Sequence, residues 1–356
     1  MELAIQKYLR SGKTPEDLTS EYNIKCTRHG KYPNLILFKY WIDTPMNERI
    51  SQECRGLILD ESKNWNIVSF PYLKFWNAHE GLAAEIDWST AKVMEKLDGS
   101  LMTLHYYDNA WQISSSGKPD AAGEVNNSGI TFAKLFWDTW EKLGYKLPTN
   151  TNICYMFEMI TPLNRIVCVY NESRIVLHGA RDLQTLCELI PEPIAKEYGW
   201  ECAKSYPLQT FDEIVDFVKD FNPLANEGVV VVDQEFNRIK IKSPQYLAIA
   251  HMKDGFSHKR IIELVQLNAG SEFLSYFPEF TKEYEEVKEK YENLVNEIAN
   301  VFAKYSPIIA QKDYALAVKH LPYSGILFQL RKNPEKTVKE LLRESRLEYV
   351  CDLLEH

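Results

Sequence analysis

Residues 227–251, EGVVVVDQEFNRIKIKSPQYLAIAH, hold the reading that decides the fold. A Glu-Gly pair opens a run of four valines, and the β-branched run reads as a strand. The stretch Arg238-Ile239-Lys240-Ile241-Lys242 then alternates cation with isoleucine, so a strand there puts both isoleucines on one face and three cations on the other. Cations gathered on one face of an otherwise apolar strand are costly unless something anionic lies against them or the face is a solvated edge. From Ser243 the spacing turns helical, and the strand signal does not return.

Upstream, short β-branched and aromatic runs recur: NLILFKY (34–40), RGLILD (55–60), NIVSF (66–70), KVMEK (92–96), SLMTLHYY (100–107), ICYMFEM (153–159), RIVCVY (165–170) and RIVLHGA (174–180). Gly, Pro, Asn, Asp and Ser bound them, as strand ends require. Residues 130–145 and 210–221 carry 3.6-residue spacing and read as helices. The expectation is an α+β domain with a mixed or antiparallel sheet over 1–248, followed by an all-helical domain over 249–356. In the latter, 281–305 places Tyr284, Val287, Tyr291, Leu294, Ile298 and Val301 on one stripe, and 312–321 and 337–356 also read as helical.

The chain of 356 residues is 45% hydrophobic and 26% charged, which excludes wholesale disorder and fibrous repeats. No run reaches the roughly 18–20 apolar residues of a membrane span. The start lacks the apolar stretch and cleavage site of a secretory signal. Seven cysteines are scattered with no C-x-x-C pair, so neither a disulfide scaffold nor a zinc ribbon is expected, and a reduced cytoplasm is the simplest setting. A net charge of −9 excludes a generic basic coat for nucleic acid, so any polyanion must meet a local cationic site.

The strings that can carry chemistry lie at strand ends. Glu95-Lys96-Leu97-Asp98-Gly99-Ser100 sits between two strands, where Lys96 can present an amine and Gly99 lets backbone approach a ligand closely; a surface turn with a solvated lysine is the bland alternative. Glu53-Cys54-Arg55-Gly56 precedes a strand, and Tyr155-Met156-Phe157-Glu158 ends one. Glu158 and Glu227 flank apolar runs, so their carboxylates want a metal, a hydroxyl or a cation. His79, His105 and His178 have no zinc-site spacing.

Read together, ECRGLILD (53–60), LKFWN (73–77), EKLDGSL (95–101), FEMITPLNRIVCVY (157–170), EGVVVV (227–232) and IKIKS (239–243) resemble the covalent nucleotidyltransferases, and most closely the phage-type RNA ligase 1 family. The resemblance spans most of residues 50–250. It implies a mixed or antiparallel-sheet nucleotidyltransferase domain of the ATP-grasp-like ligase kind with a helical C-terminal domain, and an ATP-dependent RNA ligase with Mg²⁺ or Mn²⁺ as cofactor. Lys96 would take AMP from ATP, pass it to an RNA 5′-phosphate, and a 3′-hydroxyl would then displace it. An ordinary lysine, with a pKa of about 10.4, is neutral in roughly one part in a thousand at pH 7.4, so neighbouring cations such as Lys240 and Lys242 are expected to help deprotonate Lys96.

The resemblance further implies that Lys240 and Lys242 contact the α-phosphate and triphosphate, Lys74 the outer phosphates, Arg55 the adenylate or ribose, and Glu158 a ribose hydroxyl. Glu227 would support the metal. Asp98 would hold the turn, bind metal-ordered water or act in phosphodiester closure. Arg181 would face the triphosphate or form a structural salt bridge. Trp76 is the aromatic expected over the adenine, with Val230 the opposite wall. Members of the family can carry a lysine where this chain has Ser114-Ser115-Ser116-Gly117, and the nearest cation in sequence here is Lys118.

The implied partners are RNA ends bearing 5′-phosphate and 3′-hydroxyl, with cleaved tRNA as the attested kind, and a polynucleotide kinase/phosphatase acting upstream. A monomer in a bacterial or phage-infected cytoplasm, without membrane contact, is the default. Lys332, Lys336, Lys339, Arg343 and Arg346 fall at helical spacing, as an RNA path or a salt-bridged face. Two other readings stay open: a capping-type GTP-using nucleotidyltransferase, which the lack of OB strands after residue 242 disfavours, and a non-catalytic RNA- or nucleotide-binding relative, which the intact polar motif residues disfavour.

Overall fold

The alternation in residues 227–242 folds as an antiparallel hairpin of Gly228–Val232 and Arg238–Lys242, and a third strand, Lys92–Lys96, pairs antiparallel on the free side of the valines. Ser205–Tyr206 and Trp76–Asn77 complete this five-stranded sheet, the latter pairing parallel to Arg238–Lys242. Its two faces differ as the sequence pattern requires. Val93, Val229, Val231, Ile239 and Ile241 are buried with Ile214 and Val218 of the helix Phe211–Lys219. Each such side chain contributes about 1.5–3 kcal/mol when fully buried, which holds the strand register and so places every cation on the opposite face. Thr210 and Glu213 form a capping box at the start of that helix.

The computed structural model describes residues 2–41, 43–254, 257–268, 270, 273, 274 and 277–355. Two further sheets accompany the first. One is a four-stranded antiparallel meander of Ile24–Arg28, Leu35–Tyr40, Arg55–Asp60 and Asn66–Ser69. The other is six-stranded, with Ile153–Ile160 between Ser100–Tyr107 and Arg174–Asp182. Two helices not expected from the sequence, Ala4–Arg10 and Pro15–Tyr22, pack on the meander through Ile5, Leu9 and Leu18.

One expected strand does not form. Residues 165–170 run as irregular chain, because the backbone N–H groups of Val167 and Cys168 donate to the Asp98 carboxylate and that of Val169 donates to the Leu224 carbonyl. Those donors are therefore not available to a ladder.

The chain divides into two compact units, Met1–Ala248 and Ile249–His356. The helix Pro244–Asp254 runs across the boundary. Among the described residues after Lys242 there is no strand, and the second unit is built from helices such as His258–Gln266, Thr281–Tyr305, Gln311–Val318 and Ser324–Lys332. Tyr284, Val287, Tyr291, Leu294 and Ile298 are buried along the long helix, while Val301 is half-buried. The segment 337–356 forms two helices, Val338–Glu344 and Leu347–Glu355, rather than one. Among the described residues no helix is long and apolar enough to cross a membrane.

Candidate active site

The cationic face of the five-stranded sheet forms one wall of the site. Register places Gly228 directly opposite both Lys96 and Lys242, and Val230 opposite both Met94 and Lys240. Directly paired residues share a face, so Lys96, Met94, Val230, Lys240, Lys242 and Arg238 stand together. Gly228 lies at the centre with φ +156°, and a Cβ there would come within 2.2 Å of the Ile241 carbonyl oxygen. No other residue lets the three strands close at this point.

Glu227, which precedes that glycine, is 4% exposed and bridges two of the cations. Its Oε2 accepts from Lys96 Nζ at 2.6 Å, and its Oε1 lies 2.9 Å from Lys242 Nζ. Among the described residues Lys240 makes no such pair. Burial, and then the ammonium groups of Lys74, Lys96 and Lys242, lower its pKa to about 8 against the opposing pull of Glu80. The cationic field expected from sequence thus acts strongly on Lys240.

A cavity of about 240 Å³ opens against this wall, lined by Arg55, Phe75, Lys96, Glu158, His178 and Val230 among others. Gly99 also lines it, and a Cβ there would meet the Met159 carbonyl oxygen at 2.5 Å. Arg55 stacks over the Phe75 ring at 4.8 Å, and its buried Nη1 has no hydrogen-bond partner. A buried guanidinium nitrogen without an acceptor, on a cavity wall, is a donor suited to a ligand oxygen or nitrogen.

Asp98 is positioned differently. Its Oδ2 accepts from the backbone N–H groups of Val167 and Cys168 at 2.9 and 2.7 Å, and its Oδ1 accepts from the Tyr246 hydroxyl at 2.8 Å. This geometry fits the turn-holding role among the three considered. Tyr246 lies four residues beyond Lys242 on the following helix and drew no attention in the sequence. Burial, then the carboxylates of Glu227 and Asp98, push its pKa up, so it remains a donor.

Lys74, Trp76, Asp98, Glu227, Lys240 and Lys242 are not among the residues that line this cavity, whereas Arg238 is. Trp76 lines a separate space of about 250 Å³ together with Lys74 and Phe75. The phenyl and phenol rings on the cavity itself are those of Phe75 and Tyr72. Lys74 Nζ sits 3.3 Å from the Tyr40 hydroxyl and is among the charges acting on Lys240. Arg238 is neutralised by Glu188 at 2.9 Å, so the triplet has two lysines and one satisfied arginine. Arg181 pairs with the same Glu188 and donates to the carbonyls of Phe70, Pro71 and Leu186, which is the structural salt bridge of the two roles considered. Glu53 of the ECRG string caps the first helix by accepting from the Ala4 and Ile5 N–H groups. The strand Ala110–Ser115 contributes no residue to the cavity.

No metal spacing surrounds His178 in the sequence, yet it lies on the cavity wall. The pairing of its strand shifts between Leu177 and Gly179, and such a bulge re-aims a side chain. Its ring stacks on Tyr72 at 5.6 Å and its Nε2 stands 3.5 Å from Glu158. A Cβ on Gly179 would reach within 1.9 Å of the Tyr72 hydroxyl, so the glycine makes room for that stack. A histidine followed by glycine inside a strand was the one available signal.

Among the described residues no group of three or more His, Cys, Asp or Glu is gathered as a metal site. Glu227 is buried beside the cavity and Glu158 lines it, and so small a set of carboxylates suits a hard cation such as Mg²⁺, which binds through one or two carboxylates plus substrate phosphates and keeps several waters.

A family model described as RNA ligase matches residues 53–246. An RNA ligase of Rhodothermus phage RM378 is 27% identical over 337 residues, covering 75% of this chain and 76% of that protein. A protein of Autographa californica nuclear polyhedrosis virus named "Putative bifunctional polynucleotide kinase/RNA ligase" is 24% identical over 356 residues, and this chain spans half its length. An archaeal ATP-dependent RNA ligase structure is similar with a TM-score of 0.47 at 14% identity, covering 90% of this chain and 89% of that one.

Proposed function

The chain belongs to the phage-type RNA ligase 1 family, and from that premise we propose that it is an ATP-dependent RNA ligase acting through a covalent adenylate on Lys96. The observation that carries the reading is the Lys96 ammonium, held by Glu227 at 2.6 Å on the wall of a cavity that also presents Arg55 and Glu158.

In the first step the Lys96 amine, freed of a proton, attacks the α-phosphorus of ATP. A P–N bond forms, the bond to the bridging oxygen breaks, and pyrophosphate leaves. Glu227 Oε2 is the carboxylate oxygen within hydrogen-bond reach of that proton. Lys240 and Lys242 are assigned to neutralise the negative charge that builds on the α-phosphate, and such electrostatic stabilisation is usually the largest single contribution to catalysis. Glu227 would hold Mg²⁺ or Mn²⁺ together with triphosphate oxygens, and the bound ion would neutralise phosphate charge. Both Asp98 oxygens are engaged in holding the turn, so Asp98 supports Lys96 by position. Val230 and His178 face the cavity as walls for the base and sugar, and Glu158 accepts from a ribose hydroxyl.

In the second step an RNA 5′-phosphate oxygen displaces Lys96 from the adenylate. In the third a 3′-hydroxyl oxygen attacks that 5′-phosphorus, a phosphodiester forms and AMP departs. RNA repair is the role proposed, with cleaved tRNA as the candidate substrate. An upstream polynucleotide kinase/phosphatase would prepare the ends, and the baculovirus relative's name, which joins a polynucleotide kinase to a ligase, supports the kinase part. The protein is taken to work as a monomer in the cytoplasm of a bacterial or phage-infected cell.

The deciding experiment is intact mass after incubation with Mg²⁺ and either ATP or GTP, for wild type beside Lys96→Ala. An AMP adduct on wild type alone is expected. An adduct with GTP only, or one retained in Lys96→Ala, overturns the assignment.

A further inference from the structure

Three cations stand in direct cross-strand register on the meander sheet: Lys25 opposite Lys39, and Lys39 opposite Arg55. Directly paired residues lie on one face, and like charges opposite one another are unfavourable. At strand spacing the row spans roughly 10 Å. Among the described residues neither Lys25 nor Lys39 belongs to an ion pair, although this chain carries a net charge of −9 and acidic side chains pair with many of its other lysines. The same face continues as Leu35, Leu37, Ile58 and Val68, which are buried together, so the cations occupy only its end.

The row has direction. Its inner member, Arg55, lines the nucleotide cavity and carries the unpartnered buried Nη1. Lys39 reaches the turn after Ser115, where its ammonium lies 3.3 Å from the position a Cβ of Gly117 would take. At the outer end the Lys25 ammonium lies 5.4 Å from the centre of the Trp41 ring, which is 52% exposed. A line of cations ending in an accessible aromatic ring is the combination that binds single-stranded nucleic acid, cations on phosphates and rings on unstacked bases.

We propose that the row Lys25–Lys39–Arg55, with Trp41 at its outer end, is the track along which single-stranded RNA reaches the nucleotide cavity. The inference rests on the ligase reading for the identity of the polymer. Phosphates lie against Lys39 and Lys25 and lead to Arg55 at the cavity, while a base beyond them stacks on Trp41. The acidic remainder of the surface repels RNA, so the row confines where the strand can lie.

The test uses the full chain and a 5′-phosphorylated single-stranded oligoribonucleotide. Binding is followed by fluorescence anisotropy between about 50 and 200 mM salt, a range over which phosphate contacts are strongly screened. The double variant Lys25→Gln/Lys39→Gln should bind about tenfold more weakly and lose about 1.4 from the slope of log affinity against log salt, at about 0.7 per cation removed. Trp41→Ala should weaken binding about tenfold with the slope unchanged. The double arginine variant should restore both slope and affinity. Formation of the AMP adduct should be unchanged in all three, which also shows that they fold. Lys25→Gln alone, at an exposed position, serves if the double variant does not fold.

An unchanged slope in the glutamine variants overturns the track while leaving the ligase reading intact. If wild type never takes up AMP, the ligase reading fails, and the salt slope still decides whether this row binds RNA.

Discussion

The ammonium of Lys96 lies 2.6 Å from Oε2 of Glu227, a carboxylate 131 residues away in the chain. The contact joins the end of one strand to the residue before its neighbour, and the pairing of Lys96 with Gly228 brings the two residues close. It also sets the problem the enzyme must solve, since the nucleophile rests as a partner of the group best placed to deprotonate it.

Replacing that carboxylate isolates its role. Glu227→Gln should slow AMP transfer to Lys96 by about a hundredfold or more, in the range for losing a positioned charged group. Stability should fall by only about 1–2 kcal/mol, less than for a fully buried pair, because the lysine partners are 21% and 23% exposed and can be hydrated. Single-turnover AMP incorporation and urea unfolding measure the two effects. An unchanged rate would remove Glu227 from the chemistry.

Lys240 should impose a pH dependence. With its pKa lowered to about 8 by burial and by Lys74, Lys96 and Lys242, it is an ammonium below that pH and neutral above it. ATP affinity should weaken as pH rises through about 8. In Lys240→Arg this step should vanish, because the guanidinium stays charged, and in Lys74→Gln it should move to higher pH. The sign for stability is opposite: the unfolded chain holds this proton up to about 10.5 while the folded chain releases it near 8, so this residue's contribution to stability rises between those values. Initial-rate titrations of ATP across pH 6.5–9.5, about 1.5 units on each side of that step, would show it.

Gly228→Ala should be among the most damaging single-methyl additions. The new Cβ would meet the Ile241 carbonyl oxygen at 2.2 Å and the Lys242 Cα at 2.7 Å, and backbone cannot yield as a side chain does. A loss of about 3 kcal/mol is expected, at the top of the range for overpacking. Gly144→Ala is the comparison: it has a positive φ of 66° with nothing within 4 Å, and should lose about 1 kcal/mol. Thermal unfolding of the two variants gives the difference.

Tyr246→Phe removes one hydrogen bond to a buried carboxylate and should cost about 1.5–3 kcal/mol. If Asp98 acts by holding its turn, Asp98→Asn should also destabilise the chain and slow AMP transfer while leaving the Mg²⁺ concentration for half-maximal rate unchanged. A large shift in that Mg²⁺ dependence would make Asp98 a metal ligand instead.

Much of the architecture was legible because it rests on short-range rules. Alternation in RIKIK and the valine run after Gly228 specified two strands and their faces, and the stripe on 281–305 specified the long helix. The strand expected at 165–170 did not form because a carboxylate 69 residues away claims the Val167 N–H, and no local pattern encodes that competition. The N-terminal helices are not marked by local pattern for a related reason: helices of seven and eight residues are marginal alone, and burial against the meander sustains them.

Residue types and their strand positions, by themselves, determined that Arg238, Lys240 and Lys242 share a face, since a strand's side-chain period is two wherever the strand lies. Only the tertiary structure decided which charges are spent. Arg238 and Arg181 share Glu188, Asp98 closes a turn, Trp76 points away, and a bulge brings His178 onto the cavity. Pairing across sheets depends on distances between segments far apart in the chain, and Coulomb and hydrogen-bond energies change over a few ångströms, a scale that no spacing along the sequence specifies.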